Sequence, residues 1–216
     1  RRIYDKKYFI QPLFNKRNGK NLVINGAPGL GKTVATKHIL DELKKESNEI
    51  KTVYVNCWKK DTPFKIANEI CNQLNFKFTA GRNTDELMSE AVKILNKGPC
   101  VIVLDEADKI VEQQVFYNLL EEIFTKTLIF ITNERDWLSK LDNRVRSRML
   151  AELLNFKAYD YDEISSILKE RVNFAFVNGV LENDVFESIV EKTFEIGDIR
   201  AGLFLLKNAG EEAESK

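Results

Sequence analysis

The stretch Gly26-Ala27-Pro28-Gly29-Leu30-Gly31-Lys32-Thr33 decides the fold class of this chain. Its spacing is G-x-x-x-x-G-K-T, the P-loop pattern. The apolar run 21–25 before it is typical of a short buried strand, and apolar residues recur at helical spacing between Val34 and Lys45 after it. The loop therefore joins a strand to a helix, which is the context that the motif requires.

The loop is built to bind phosphate. Glycines let successive backbone N–H groups turn inward around an anion, and the following helix N-terminus adds partial positive charge. Lys32 can reach the β- and γ-phosphates, and the Thr33 hydroxyl can ligate Mg²⁺. We therefore predict a site for ATP or ADP with Mg²⁺, whose contacts are Gly26, Ala27, Pro28, Gly29, Leu30, Gly31, Lys32, Thr33 and Val34.

Composition narrows the class of protein. The 216 residues are 44% hydrophobic, which is enough for one large or two small globular domains. A formal net charge of zero argues against a globally basic nucleic-acid binder, although a local basic patch stays open. With His38 as the single histidine, a Ser-His-Asp triad or histidine metal site would have to include it, and a structural or solvated role is the simpler interpretation.

The chain carries no feature of a secreted or membrane protein. Its three cysteines form no C-x-x-C pair, which fits reduced, buried thiols. No apolar stretch approaches about 18 residues, and there is no signal peptide. We therefore expect a cytoplasmic protein without a membrane partner, and a start at Arg1 rather than Met fits a fragment.

A second motif follows the apolar run Cys100-Val101-Ile102-Val103-Leu104. An unbroken apolar run predicts a central parallel strand buried on both faces. The strand ends in Asp105 and Glu106, at the edge where α/β sheets bind ligands, so this is a Walker B pattern. Asp105 would bind Mg²⁺ directly or through water, and Glu106 would act as the general base toward the attacking water.

Polar residues in two further stretches are candidates for the same chemistry. Asn133 ends the apolar strand 127–133, where it can orient the water or contact the γ-phosphate, or simply form a strand-terminal turn. Arg144, Arg146 and Arg148 are closely spaced after Trp137. An arginine here could stabilise transition-state charge in a neighbouring subunit, and a solvated basic face is the alternative.

The remaining pattern predicts an α/β core followed by a helical domain. Strands are expected at 51–57 and 150–156, and helices begin at Thr62-Pro63 and at Thr84. After Lys157 three amphipathic helices follow without strands, over 160–176, 182–194 and 198–213. We predict a five-stranded parallel sheet flanked by helices over residues 1–156, then a small all-helical lid domain over residues 157–216.

Three positions outside these motifs are candidate nucleotide contacts. The basic, aromatic arm 1–20 either folds over the adenine, with Tyr8 as a contact, or docks without touching a ligand. Tyr159 is a further candidate. Arg200, near a helix start, is either a phosphate sensor or part of a salt bridge that braces the domain.

The order of motifs resembles that of the AAA+ ATPases: P-loop, Walker B, strand-terminal asparagine, arginine box, then a helical lid with Gly197-Asp198-Ile199-Arg200. In detail it resembles the archaeal replication initiators, the origin-recognition and cell-division-control family. The stretch 141–148 is similar to that family's Leu-Asp-Pro-Arg-Val-x-Ser box, with Asn143 where proline is common. The lid stretches 171–181 and 197–203 are similar as well, so the resemblance covers nearly the whole chain.

The resemblance implies further roles. Asn133 becomes sensor 1, Arg200 sensor 2, and Asn56 the polar residue that restrains the catalytic glutamate until a partner binds. Arg148 becomes the arginine finger, with Arg144 as the alternative. A helical insertion of the family contacts DNA at the place of 79–95; the matching candidates are Arg82, Asn83 and Thr84, and a plain loop and helix cap is the alternative.

The resemblance also implies a function. The chain would be the slowly hydrolysing ATPase module of an initiator that recognises origin DNA, meets homologous subunits and helps load the replicative helicase on the nucleoid. A nucleotide-dependent regulatory switch and a clamp-loader-like helper are the alternatives on the same core. The family usually continues into a winged-helix domain, so a chain ending at Lys216 would be a truncated form or a short paralogue.

Overall fold

The computed structural model describes residues 7–177 and 179–214. Residues 1–6 of the N-terminal arm, Asn178 of the lid motif and residues 215–216 lie outside the described part. Five strands form one sheet in the order β2-β3-β4-β1-β5, and every neighbouring pair is parallel. The predicted five-stranded parallel sheet is confirmed, with strands β1 Leu22–Asn25, β2 Lys51–Asn56, β3 Cys100–Asp105, β4 Lys126–Thr132 and β5 Glu152–Asn155.

Helices connect the strands and follow the last one. The P-loop helix starts at Lys32, two residues before the predicted start, and Trp137–Met149 divides into two short helices. A 3₁₀ turn, Ala107–Lys109, follows β3. The helices are α1 Lys7–Phe14, α2 Lys32–Glu46, α3 Pro63–Gln73, α4 Thr84–Leu95, α5 Gln114–Glu122, α6 Trp137–Lys140, α7 Asn143–Met149, α8 Tyr161–Ala175, α9 Asn183–Ile196 and α10 Ile199–Glu214.

Burial explains why β3 is an unbroken apolar run. All six of its residues are buried, because neighbouring strands flank it and helices cover the sheet. Behind the sheet, Phe116 packs edge-on against Phe130 and Trp137, with ring centroids 5.7 Å apart in both pairs. This packing joins α5, β4 and α6 and supports the strand ends that carry the polar residues.

Capping residues begin the helices where the sequence predicts. The Thr62 side chain accepts the N–H of Lys65, with proline in the first turn of α3. Asn83 and Glu86 form a reciprocal capping box at α4, and Asp160 and Glu163 form another at α8. Each box satisfies backbone donors that the first helical turn leaves unpaired.

The chain divides into two compact units, one of residues 1–26 with 32–155 and one of residues 27–31 with 156–216. The second unit contains the three helices α8, α9 and α10. Its core is a small apolar cluster that these helices share, made of Ile164, Leu168, Ile189, Val190 and Leu206. The described part of the chain contains no helix that is both long and apolar enough to cross a membrane.

Candidate functional site

The strand order brings the predicted polar residues to one edge of the sheet. Strand β4 lies between β3 and β1, so the ends of these three strands are neighbours. Asn25 pairs with Thr132, and Asp105 pairs with Ile131. The P-loop follows Asn25, Glu106 follows Asp105 and Asn133 follows Thr132, so these groups start side by side at the same edge.

Lys32 links the P-loop helix to the end of β4. The residue is 6% exposed, and its Nζ donates to the carbonyl of Gly26 at 2.7 Å and to Oδ1 of Asn133 at 2.8 Å. A buried ammonium group requires such acceptors to offset its desolvation. The structure therefore brings together the predicted phosphate-binding lysine and the predicted sensor asparagine.

Asp105 receives hydrogen bonds from three parts of the core. The carboxylate is 2% exposed; its Oδ2 accepts the Thr33 hydroxyl at 2.7 Å and the Tyr54 hydroxyl at 2.6 Å. Its Oδ1 accepts the backbone N–H of Glu106 at 3.0 Å. The predicted Mg²⁺ residues, Thr33 and Asp105, are thus in direct contact.

Glu106 stands in an unusual backbone conformation. Its φ of 55° and ψ of 47° are left-handed, which costs a residue with a side chain about 1–2 kcal/mol. This turn directs the chain out of β3 into the 3₁₀ turn. Burial, and then the negative charges of Asp105 and Asp108, raise the pKa of Glu106 above its ordinary value.

Asp108 supports the neighbouring strand end. Its Oδ1 accepts the backbone N–H of Asn133 at 3.4 Å, and its Oδ2 pairs with Lys109 Nζ at 2.8 Å. Burial opposes ionisation, but the neighbouring Lys109 ammonium and Thr132 hydroxyl outweigh it and lower the pKa of Asp108. An ionised Asp108 therefore ties the turn after β3 to the end of β4.

The tip of the P-loop has no room for side chains at its glycines. Gly29 and Gly31 have φ of 81° and 74°, in the left-handed region that favours glycine. A Cβ at Gly29 would lie 2.1 Å from Oδ1 of Asp198, and a Cβ at Gly31 would lie 2.9 Å from the Tyr159 hydroxyl. The Tyr159 hydroxyl also donates to the carbonyl of Leu30 at 3.0 Å, so it contacts the loop backbone.

The residues present fit a magnesium ion held together with phosphate. Mg²⁺ prefers oxygen ligands and is usually bound by one or two protein groups plus substrate phosphates, rather than by an all-protein cage. The hydroxyl of Thr33 and the carboxylate of Asp105 supply such oxygens. Within residues 7–177 and 179–214 there is no cluster of three or more His, Cys, Asp or Glu that could hold a metal ion.

The arginines after α6 differ in their contacts. Arg148 Nε pairs with Glu121 Oε1 at 2.5 Å, and its guanidinium lies 5.0 Å from the ring centroid of Tyr117. The Arg144 side chain is 81% exposed, with its Nε 3.5 Å from Asp142. Both arginines are exposed. The assignment of Arg148 as the arginine finger, with Arg144 as the alternative, stays a prediction.

Arg200 and Asn56 hydrogen-bond close to their own positions in the chain. The Arg200 guanidinium pairs with Asp198 at 2.5 Å, which is a salt bridge within the lid. Hydrogen bonding to Arg200 is the largest cause that lowers the pKa of Asp198. The Oδ1 of Asn56 accepts the backbone N–H groups of Trp58 and Lys59, so it caps the turn after β2. The sensor role of Arg200 and the regulatory role of Asn56 remain predictions.

The candidate DNA contacts have structural roles of their own. Asn83 caps α4 and Thr84 begins it, while the Arg82 guanidinium lies 5.0 Å from the Phe76 ring centroid and 3.8 Å from Glu90. These contacts are the ones expected of a plain loop and helix cap, which is the alternative to a DNA-binding role. DNA contact by this segment stays a prediction.

The N-terminal arm docks through α1. The Phe9 carbonyl accepts the Thr127 hydroxyl at 3.1 Å, and Lys20 Nζ donates to the Tyr8 hydroxyl at 2.8 Å. A role for Tyr8 in adenine binding stays a prediction.

Sequence reasoning missed Tyr54. Strand periodicity could have found it, since Tyr54 and Asn56 are two residues apart and so point to the same face of β2. Their neighbours Val53 and Val55 are fully buried on the other face. A tyrosine on the polar face of a strand beside the Walker B strand is a candidate for contact with that carboxylate.

Comparison with known proteins identifies the family. A model of the AAA domain matches residues 16–158, which is more than half of the chain. A model of the Cdc6 AAA+ ATPase-type lid domain matches residues 165–216.

Several relatives have the same fold and related sequences. The chain is 35% identical to the ORC1-type DNA replication protein 1 of Sulfurisphaera tokodaii over 95% of its own length, and 33% identical to the ORC1-type DNA replication protein of Pyrococcus abyssi over 94%. It spans about half the length of these relatives, 55% and 53%. The solved structure of the Aeropyrum pernix ORC1 protein in complex with DNA is similar at a TM-score of 0.87 and 28% identity, covering 99% of this chain and 59% of that one. The chain therefore belongs to the AAA+ ATPases, within the archaeal origin-recognition and cell-division-control family of replication initiators.

Proposed function

We propose that this chain is the ATP-binding and slowly hydrolysing module of a DNA replication initiator, one that recognises origin DNA and helps load the replicative helicase. The observation that carries the ATPase proposal is the buried contact of Thr33 with Asp105 beside the Lys32–Asn133 pair. Membership of the AAA+ ATPases supports it. Such a protein would work in the cytoplasm, on the nucleoid.

Each residue has a part in this proposal. Backbone N–H groups of the P-loop and the Lys32 ammonium bind the phosphates, and Asn133 orients the attacking water. Glu106 accepts a proton from that water as general base. Bound Mg²⁺ neutralises negative charge on the phosphates. Arg200 responds to the phosphate from the lid, which makes the site sensitive to the bound nucleotide.

Removing the proposed base separates binding from hydrolysis. We expect Glu106→Gln to lower ATP turnover by about 10²- to 10⁴-fold while ATP affinity is retained, because the amide keeps the shape but accepts no proton. Turnover is measured by phosphate release and affinity by titration with a fluorescent ATP analogue. The matched control is Glu122→Gln on the exposed end of α5, which should leave turnover unchanged. Undiminished hydrolysis in Glu106→Gln would show that another group activates the water.

The proposed arginine finger must be free to reach a neighbouring subunit. Arg148 is bound to Glu121 on its own surface, and both side chains are partly exposed, 38% and 42%. Surface ion pairs of this kind contribute about 0–1 kcal/mol, so a neighbour's phosphates can compete for the guanidinium. We propose that Arg148 acts in trans, with Arg144 as the alternative, and that an isolated monomer is therefore slow.

Mixing two inactive variants tests the finger. Arg148→Ala keeps the nucleotide site but offers no finger, and Lys32→Ala offers a finger but binds no phosphate. We expect each variant alone to lose about 10³-fold or more of the turnover seen at high protein concentration, and their mixture to regain part of it. Arg146→Ala, which removes a side chain bonded to Asn143, is the control and should keep its turnover. If the turnover of the mixture recovers with Arg144→Ala in place of Arg148→Ala, the finger is Arg144. If the unaltered chain keeps its full turnover at high dilution, no neighbouring subunit is needed.

Relatives support the DNA-binding part of the proposal. The two relatives named above are ORC1-type DNA replication proteins, and the Aeropyrum pernix ORC1 structure is a complex with DNA. The zero formal net charge of this chain offers little general attraction to phosphate backbones. We therefore expect binding to depend on the full-length protein, on the sequence of the DNA and on the bound nucleotide.

Binding of DNA by the full-length protein tests the initiator function. We expect origin DNA to bind more tightly than scrambled DNA of equal length by about 10³-fold, with a preference that changes between ATP and ADP. Fluorescence anisotropy across a salt series separates the non-specific electrostatic part, which falls steeply with salt. No measurable binding, or equal binding to both DNAs at every salt concentration, would contradict the initiator function and favour a regulatory switch or a clamp-loader-like helper.

A further inference from the structure

The hydroxyl of Tyr54 reaches the carboxylate that the proposed function assigns to Mg²⁺. It donates to Asp105 Oδ2 at 2.6 Å. Tyr54 is on β2, the edge strand of the sheet, and Asp105 ends the neighbouring strand β3. The contact therefore joins two neighbouring strands, at the same edge of the sheet where β1 ends and the P-loop begins.

Two neighbouring side chains, those of Gln73 and Lys37, hold Tyr54 in place. The Gln73 side chain accepts the backbone N–H of Tyr54 at 3.0 Å and donates to its carbonyl at 2.7 Å. Lys37 Nζ lies 4.5 Å from the centroid of the Tyr54 ring, and Lys37 is one helical turn beyond Thr33 on α2. Gln73 therefore holds the backbone of Tyr54 and Lys37 lies over its ring, while the hydroxyl is held by its bond to Asp105.

The hydrogen bonds to Asp105 divide unevenly between its two oxygens. An ionised carboxylate offers about two acceptor sites on each oxygen. Oδ2 accepts both Thr33 and Tyr54, which uses its two sites, whereas Oδ1 accepts the backbone N–H of Glu106. The Tyr54 bond thus fixes the rotation of the carboxylate and leaves the remaining acceptor capacity on Oδ1.

If Tyr54 had only a structural role, its aromatic ring would be sufficient and its hydroxyl would not be needed. Packing under Lys37 and the backbone contacts of Gln73 do not involve the hydroxyl, so phenylalanine would preserve them. The hydroxyl itself donates to Asp105. Replacing tyrosine by phenylalanine therefore isolates the orientation of the carboxylate from the packing of the strand.

We propose that Tyr54 is a positioning residue for Mg²⁺ binding, whose hydroxyl sets the orientation of Asp105 in the nucleotide site. This inference rests on the proposed ATPase function. It joins β2 to the carboxylate that is proposed for Mg²⁺. Loss of the Tyr54 hydroxyl should weaken only the part of the nucleotide affinity that depends on Mg²⁺, because the P-loop binds the phosphates themselves.

The test measures how much Mg²⁺ strengthens ATP binding. A fluorescent ATP analogue is titrated into the protein with saturating Mg²⁺ and again with EDTA, and the ratio of the two affinities is the Mg²⁺ enhancement. We expect Tyr54→Phe to reduce this enhancement by about tenfold, the size of one hydrogen bond to a charged group, and to leave the affinity in EDTA unchanged. Circular dichroism checks that the variant is folded.

Two controls make the result specific. Tyr161→Phe removes another tyrosine hydroxyl that donates to a carboxylate, that of Glu187 in the lid, and should keep the full enhancement. Thr33→Val removes a proposed ligand and should abolish the enhancement. The affinity of Mn²⁺ for the nucleotide complex, measured by electron paramagnetic resonance, is a second readout and should weaken by the same factor in Tyr54→Phe.

The possible failures are distinguishable. If Thr33→Val loses the enhancement and Tyr54→Phe keeps it, Tyr54 has no positioning role and the proposed function stands. If Tyr54→Phe loses affinity equally in Mg²⁺ and in EDTA, the residue acts on the whole site and the inference is overturned. If the unaltered chain binds ATP no better with Mg²⁺ than with EDTA, the proposed function fails together with the inference.

Discussion

A buried negative charge at the end of β3 is the constraint on which the site depends. Asp105 is 2% exposed, and a carboxylate removed from water in this way must be compensated by donors. The donors come from the P-loop helix through Thr33, from the edge strand through Tyr54 and from the following turn through Glu106. One carboxylate therefore ties together three segments that are far apart in sequence.

The order of the strands in the sheet explains how the other residues of the site come together. Because β4 separates β3 from β1, Asn133 at the end of β4 lies within reach of Lys32, which follows β1. The left-handed turn at Glu106 ends β3 abruptly, and Asp108 in the next turn supports the backbone of Asn133. The strain at Glu106 is small beside the burial of the apolar strand that precedes it.

Much of this arrangement could be predicted from local sequence signals. The P-loop, the apolar run before Asp105 and the amphipathic helices after residue 157 gave the five parallel strands and the helical lid, since each signal lies within a few consecutive residues. The contact of Tyr54 with Asp105 joins residues 51 positions apart, and the pairing of Arg148 with Glu121 depends on how two helices pack. Such contacts depend on the tertiary structure, so no single stretch of the sequence predicts them. The αL conformation of Glu106 has the same origin, because the residue type gives no warning of a positive φ.

The most direct test of this account is a crystal structure of the chain with Mg²⁺ and a non-hydrolysable ATP analogue. We expect the phosphates on the backbone of residues 26–33 and on Lys32, the cation beside the Thr33 hydroxyl, and the Asp105 carboxylate still hydrogen-bonded to Tyr54. A nucleotide bound away from this loop, or a cation held by other residues, would contradict it.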